Sequence, residues 1–329
     1  MKFGVELVPY LSIDKLVDLA KKVELAGFDH IWVCDHYHNR YVYSVLTQLA
    51  LVTSKIKLGP GVTNPYVAHP VVAAAAIATL NEISKGRAVL GISAGEPMYL
   101  KTIGIKHHKP IIAVSEAVKI IRLLLAGEKV DFSGRVFICR GAKLRFKTAG
   151  EVPVYIGAQG PQMLELAGKI SDGVLINASD IGDLEEAIEH VRAGAQSAGR
   201  DLDKIDLVAY MAVSVDEDLK KAKDAVKRIV SFVASSAPPS SLKRHNIPVS
   251  DVEKIRRYLE IGDIQRAAAA VTDRMIEAFS LCARPSELPS RIDKLRRIGI
   301  TQVVIGFPIG PDPLRAIDHV VHSLFRFQG

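Results

Sequence analysis

Hydrophobic and polar positions along this chain fall into a repeated rhythm. A short run of apolar, β-branched residues is followed by a longer segment whose apolar positions recur at three- and four-residue spacing. The first cycle shows the pattern: residues 3–8 alternate as a strand, Pro9 breaks it, and Ser12 is placed to cap a helix. Ile13, Leu16, Leu19, Ala20, Val23 and Ala26 form that helix's apolar stripe, and Gly27 stands at the C′ position. The same reading predicts further strands at 30–34, 56–62, 87–93, 152–156, 172–176, 207–215 and 301–305. Helices are predicted at 43–53, 71–83, 114–126, 184–197, 219–235 and 314–325, with another running from Pro161 to Lys169.

Alternation of eight such strands with helices implies a parallel sheet covered by helices. Helix–glycine–strand junctions recur at Gly27 and Gly299, and no GxGxxG opens the first helix. Count and regularity therefore predict α/β architecture of the (β/α)8 TIM-barrel type, one domain over 1–329. Two stretches stand outside the repeat, at about 127–150 and 236–275. The first reads as a hairpin about Ser133-Gly134; the second opens on Ala237-Pro-Pro-Ser-Ser241 and continues as charged helical sequence. Both are expected to be elaborations of the barrel.

The sharpest break in the rhythm is Leu58-Gly-Pro-Gly-Val-Thr-Asn-Pro-Tyr66, which stands where a strand hands over to a helix. Two glycines and two prolines cannot continue either element, and Gly59 and Gly61, without a Cβ, let a flat ligand approach the backbone. An ordinary tight turn is the alternative reading. Other polar or glycine-rich strand ends occur in the same phase: Glu6, Asp35-His36, residues 93–96, 157–160, 177–179 and 306–310. In a barrel of this kind they converge on the face where chemistry takes place.

Composition narrows the chemistry. Of 329 residues, 48% are hydrophobic and 24% charged, as in a globular protein with a sizeable core. The start lacks the basic and apolar regions of a signal peptide, and the longest apolar run, 71–80, is too short to cross a bilayer. Cys34, Cys139 and Cys282 are far apart and read as reduced thiols of a cytoplasmic protein. The net charge of +7 is spread without blocks, which favours small polyanions over nucleic acid. His36/His38 and His107/His108 lack zinc spacing, so no metal is expected. No nucleophile elbow appears either. Two carboxylates, a histidine, amides and exposed backbone N–H groups remain, a kit for holding a large cofactor that brings its own chemistry. Gly157-Ala158-Gln159-Gly160 opens a helix and is a candidate phosphate cradle.

The stretches Gly59-Pro-Gly-Val-Thr-Asn-Pro65, Tyr155-Ile-Gly-Ala-Gln-Gly-Pro161, Ile170-Ser-Asp-Gly-Val-Leu-Ile-Asn-Ala-Ser179 and Pro308-Ile-Gly-Pro311 carry a family resemblance. With Met1-Lys-Phe-Gly-Val-Glu6 and Asp35-His-Tyr37, they resemble F420-dependent methylenetetrahydromethanopterin reductases of the bacterial-luciferase-like superfamily. The resemblance runs from residue 1 to the last helix. It implies hydride transfer between coenzyme F420 and a methylene- or methyl-tetrahydromethanopterin, without metal, in archaeal one-carbon metabolism and methanogenesis. It also implies a cytoplasmic homo-oligomer, dimer or tetramer, with no membrane or nucleic-acid partner.

Residue by residue, the resemblance places a non-prolyl cis peptide at Gly61-Val62, backing the deazaflavin ring. Cofactor contacts are then expected from Asp35, His36, Gly61, Val62, Thr63 and Asn64. Further contacts are expected from Ser93, Gly95, Gly157, Ala158, Gln159, Gly160 and Asn177. Opening of the methylene bridge requires a proton at N10. Glu6, within an apolar strand, is the expected donor, Glu96 can share the role, and Asp35 orients the ring edge or the pterin. The alternatives are an ion-paired Glu6, a helix-capping Glu96 and a turn-forming Asp35. The segment Gly91-Ile-Ser-Ala-Gly-Glu96, Phe307 and the basic charge depart from the usual pattern and leave the C1 carrier open. An F420- or FMN-dependent oxidoreductase acting on an alcohol or another pterin, and a non-catalytic deazaflavin carrier, remain as other readings.

Overall fold

A computed structural model describes residues 1–325, and each of the eight expected strands forms there. The last four residues of the expected 1–329 domain lie outside the described residues. The strands are β1 (Lys2–Leu7), β2 (His30–Val33), β3 (Lys57–Pro60), β4 (Leu90–Ile92), β5 (Val130–Ser133) and β6 (Ile138–Ala142). They continue with β7 (Val154–Ala158), β8 (Gly173–Ile176), β9 (Asp206–Val215), β10 (Leu281–Ala283) and β11 (Gln302–Ile309). β5 and β6 pair antiparallel as the expected hairpin. The main sheet runs β3-β2-β1-β11-β9-β8-β7-β4, with β10 added to β9.

β3 and β4, the two ends of that order, are themselves joined. Parallel bridges link Leu58 to Ala88 and Thr63 to Ile92. Val89 N donates to Leu58 O at 3.1 Å and Ser93 N to Thr63 O at 2.9 Å, on either side of the bend at residues 59–62. The result is the (β/α)8 TIM-barrel fold. This junction changes the reading of Gly59. A Cβ there would lie 1.8 Å from Val89 O, so the glycine lets two strands approach, not a ligand.

The described chain comprises two compact units, one made of Glu6–Leu175 with His190–Asp206. In it, Ser12 caps the helix Ile13–Leu25 by accepting from Lys15 N, and Gly27 takes a φ of 90° just past its end. Leu16, Leu19, Ala20 and Val23 are buried, each leucine contributing about 2 kcal/mol. The alanine-rich helix Pro70–Ile83 packs between Val42–Val52 and Pro110–Leu125, its small residues permitting close approach. The other unit consists of Met1–Val5, Ile176–Glu189 and the chain from Leu207 onward. There β11 pairs with β1 (Val303 opposite Phe3) and with β9, its register shifting between Gly306 and Ile309. The 236–275 stretch folds into the helices Pro239–Arg244, Val249–Glu260 and Ile264–Ala269, and Asp273–Phe279 leads into β10. β10 was not expected, because three residues are too few to display alternation.

Candidate active site

In the first unit, two adjacent strand ends carry acids. Glu6 stands one residue before the end of β1, and Cys34-Asp35 follow β2 directly. Cys34 N donates to Leu7 O at 3.2 Å, which sets the two strand ends side by side. Across that junction the Cys34 thiol donates to Glu6 Oε1 at 2.8 Å. Burial, and then the Glu6 carboxylate, push the thiol well above its ordinary pKa, so Cys34 stays protonated at neutral pH. Asp35 accepts from Thr63 Oγ1 at 2.6 Å, and Thr63 is itself buried. Burial raises the Asp35 pKa while the Thr63 hydroxyl opposes the rise. Among the described residues no cation pairs with Asp35.

Tyr37 joins these acids to the next strand ends. Its hydroxyl is pushed up to about 12 by burial, then by the Asp35 and Glu96 carboxylates, against a hydrogen bond with the Asn64 side chain. Asn64 Oδ1 also accepts from Tyr66 N and Val67 N at 3.1 Å each, so this buried amide shapes the loop after the bend. Gly95 packs on it: a Cβ there would lie 3.1 Å from Asn64 Cβ, and the φ of 73° suits glycine. Gly95 N donates to Ser93 Oγ at 3.2 Å. Glu96 is the N-cap of the helix Pro97–Thr102, accepting from Met98 N, as its alternative reading held.

The Gly61–Val62 peptide is cis, and the bend turns Val62 back across neighbouring strands. Its Cγ1 lies 3.1 Å from where a Gly91 Cβ would be and 3.2 Å from a Gly157 Cβ. Gly157 on β7 leaves room for Val62 beside Ser93, whereas Gly91 on β4 first admits Pro60 O, 2.3 Å from where its Cβ would be. Past Gly157, Ala158 is buried, and Gly160 is the N-cap of the helix Pro161–Ile170 with no side-chain cap bond. A Cβ on Gly160 would meet nothing within 4 Å.

Glu6, Asp35, Val62, Thr63, Asn64, Ser93, Gly95, Glu96 and Gly157 are therefore linked by direct contacts or through Cys34 and Tyr37. His36 is exposed and stacks on Tyr99, ring centroids 5.4 Å apart, at the edge of this group. Asn177 belongs to the other unit, exposed just past β8. Sequence reasoning missed Cys34 and Tyr37. The adjacency of Cys34 to Asp35 was a signal, but its partner stands 28 residues away on another strand.

The histidines have other work. His38 Nε2 meets Thr102 Oγ1 at 3.0 Å and His107 Nε2 meets Ala94 O at 3.1 Å. Within the second unit, Asp180, Asp183 and His245 have metal-ligand spacing. Their oxygens already take donors, however: Asp180 Oδ1 from Gly182 N, and Asp183 from Ser241 Oγ and Arg244. This is an ion-pair cluster tying two helices. No helix among the described residues is long and apolar enough to cross a membrane.

The luciferase-like monooxygenase family model matches residues 1–302. A 5,10-methylenetetrahydromethanopterin reductase of Archaeoglobus fulgidus is 49% identical, over 96% of each chain. Its namesake from Methanopyrus kandleri is 40% identical, over 97% of this chain and 96% of its own. The solved coenzyme F420-dependent tetrahydromethanopterin reductase from Methanopyrus kandleri superposes with a TM-score of 0.92 at 39% identity, over 100% and 99% of the two chains. An F420-dependent secondary alcohol dehydrogenase gives 0.84 at 25% identity, over 98% of each. On this evidence the chain belongs to the luciferase-like family, among its 5,10-methylenetetrahydromethanopterin reductases.

Proposed function

We propose that this chain is an F420-dependent oxidoreductase acting on CH–NH donors, reducing N5,N10-methylenetetrahydromethanopterin to the N5-methyl form by reversible hydride transfer. The observation that carries the reading is whole-length similarity to relatives of that name.

The residues present fit a deazaflavin. The half-buried Val62 offers an apolar surface, and the partly exposed Ser93 carries a neutral hydroxyl for a ring edge. Gly160, with open space around it and no side-chain cap, leaves a helix N-terminus that favours an anion. Asp35, His36, Gly61 to Asn64, Ser93, Gly95 and Gly157 to Gly160 would hold the cofactor. When bound, reduced F420 supplies the hydride.

The chain's own part is orientation and proton supply. Glu6 delivers a proton to N10 as the methylene bridge opens, its O–H bond breaking as the C–N10 bond breaks and the N10–H bond forms. Asp35, held by Thr63, orients the ring edge or the pterin, and Glu96 shares the role of acid when freed from its cap. No metal takes part in this reading. A single barrel domain elaborated at 127–150 and 236–275, in a cytoplasmic dimer or tetramer, belongs to the same proposal.

The test is anaerobic: reduced F420 plus methylenetetrahydromethanopterin, following oxidised F420 by absorbance, for wild type and Glu6→Gln. We expect pterin-dependent oxidation that falls about 10²–10⁴-fold in the variant. Oxidation that survives intact would transfer the acid role to Glu96 or Asp35. F420 binding with no pterin-dependent oxidation would sink the pterin reading, and turnover of an alcohol instead would replace it.

A further inference from the structure

The chain places a buried thiol against the carboxyl just assigned as the acid, and nothing so far uses it. Cys34 is 4% exposed, its N–H is fixed to Leu7 O at 3.2 Å, and its Sγ lies 2.8 Å from Glu6 Oε1. The geometry is tight at both ends of the residue, because backbone and side chain each engage β1, at successive positions.

We propose that Cys34 is a positioning residue for Glu6, its S–H bond to Oε1 fixing the carboxyl and stabilising the carboxylate left when the proton departs. The proposal rests on the reading of Glu6 as the proton donor. A general acid becomes an anion in the transition state, so a donor already aimed at it gains strength as the reaction proceeds. In the ground state the same bond is weaker, because the protonated carboxyl is a poorer acceptor. The interaction therefore bears on kcat more than on substrate binding. A thiol suits the place: burial keeps it protonated, so it brings no second charge beside Glu6 and Asp35. A lysine or arginine there would hold Glu6 ionised and unable to give up a proton. Atoms balance simply: the proton moves from Glu6 to N10, and the S–H bond is neither broken nor oxidised.

The experiment uses the full-length chain carrying Cys34→Ala, Cys34→Ser and Glu6→Gln in turn, with thermal unfolding confirming that each is folded. In the cofactor-free protein, the S–H stretching band is recorded by infrared difference, Cys34→Ala identifying the Cys34 contribution against Cys139 and Cys282. The Cys34 band should shift in Glu6→Gln, where an amide replaces the carboxyl as the group facing the thiol. In the F420–pterin assay, Cys34→Ala should lower kcat by about ten- to hundredfold, with both KM values within about twofold. Cys34→Ser, which restores a donor, should recover most of the loss.

A Cys34 band indifferent to Glu6→Gln, or a Cys34→Ala enzyme with undiminished kcat, overturns the proposal while leaving the acid role standing. So does a loss that appears in KM alone, or one that serine fails to repair. If the band shifts but Glu6→Gln turns over normally, the thiol holds a carboxyl that is not the acid. The failure is then that of the Glu6 assignment, and the proposal falls with it.

Discussion

Glu24 and Asp35 are both partly buried carboxyls of the same compact unit, one at each end of its strands, and their surroundings are opposite. Near the N-terminal ends of β3 and β4, Glu24 Oε1 accepts from the backbone N–H groups of Ser54, Lys55 and Ile56 at 2.7–3.0 Å. Burial alone would raise its pKa, but these donors and the nearby Arg87 bring it below the ordinary value. Arg87 in turn donates to Ala50 O, Thr53 O, Ile56 O, Ser84 O and Thr53 Oγ1, closing the end of the helix Val42–Val52. At the C-terminal ends, Asp35 has one hydroxyl donor and a raised pKa. One end spends its polar groups on each other and the other leaves an acid undersupplied with donors. Undersupplied acids can move protons and meet ligands; saturated ones hold strands in place.

The largest effect that separates the two ends is on stability. Arg87→Ala leaves four carbonyls and a hydroxyl without their donor, and should lower the unfolding free energy by about 3 kcal/mol. Urea denaturation would read this as a lower midpoint at unchanged slope. Turnover per folded molecule should stay at the wild-type value. A variant of normal stability would show that the guanidinium is not what closes this end.

Asp35→Asn should do the reverse, by a smaller amount. An amide removes a charge held where burial disfavours it, yet still accepts from Thr63, so stability should rise by about 1 kcal/mol. Turnover should fall about tenfold, because the proposed orienting carboxylate is gone. Loss of stability together with loss of activity would place Asp35 with Glu24, as a structural residue, and erase the contrast.

How far the sequence carried depends on whether a signal is local. The strands of the barrel, the cap at Ser12 and the C′ glycine at Gly27 are written within a few residues of where they act, and they were legible. Glu6, Asp35 and Thr63 were placed on the right strand ends for the same reason. Features that depend on which strands become neighbours were not legible. Gly59 was read as opening the backbone to a ligand or as part of a tight turn, whereas the atom excluding a side chain there is Val89 O of the neighbouring strand. Cys34 was read only as a reduced thiol with no partner named, because its contact with Glu6 requires the pairing of β1 and β2. The Glu24–Arg87 network joins residues 63 positions apart that no spacing rule connects. The proposed role of the bend came from the resemblance, since periodicity alone left it open between a ligand site and a turn.

The smallest predicted effect tests the contrast by its sign. Glu24 has a folded-state pKa below its unfolded value near 4.5. Its stabilisation is present above that value and is lost as pH falls through the folded pKa. Asp35 has a folded-state pKa above its unfolded value near 3.8. Its ionised form costs stability above the folded pKa, and that cost is relieved as pH falls from there towards 3.8. Subtracting the stability of Glu24→Gln from that of wild type should therefore give a difference that shrinks below pH 4.5. Subtracting Asp35→Asn should give a negative difference that moves towards zero over the window above 3.8. Each excursion should be about 1 kcal/mol or less, within reach of urea titrations repeated across acid pH. All other carboxyls cancel in the subtraction, so two curves of the same slope would mean that the two ends of the strands treat their acids alike.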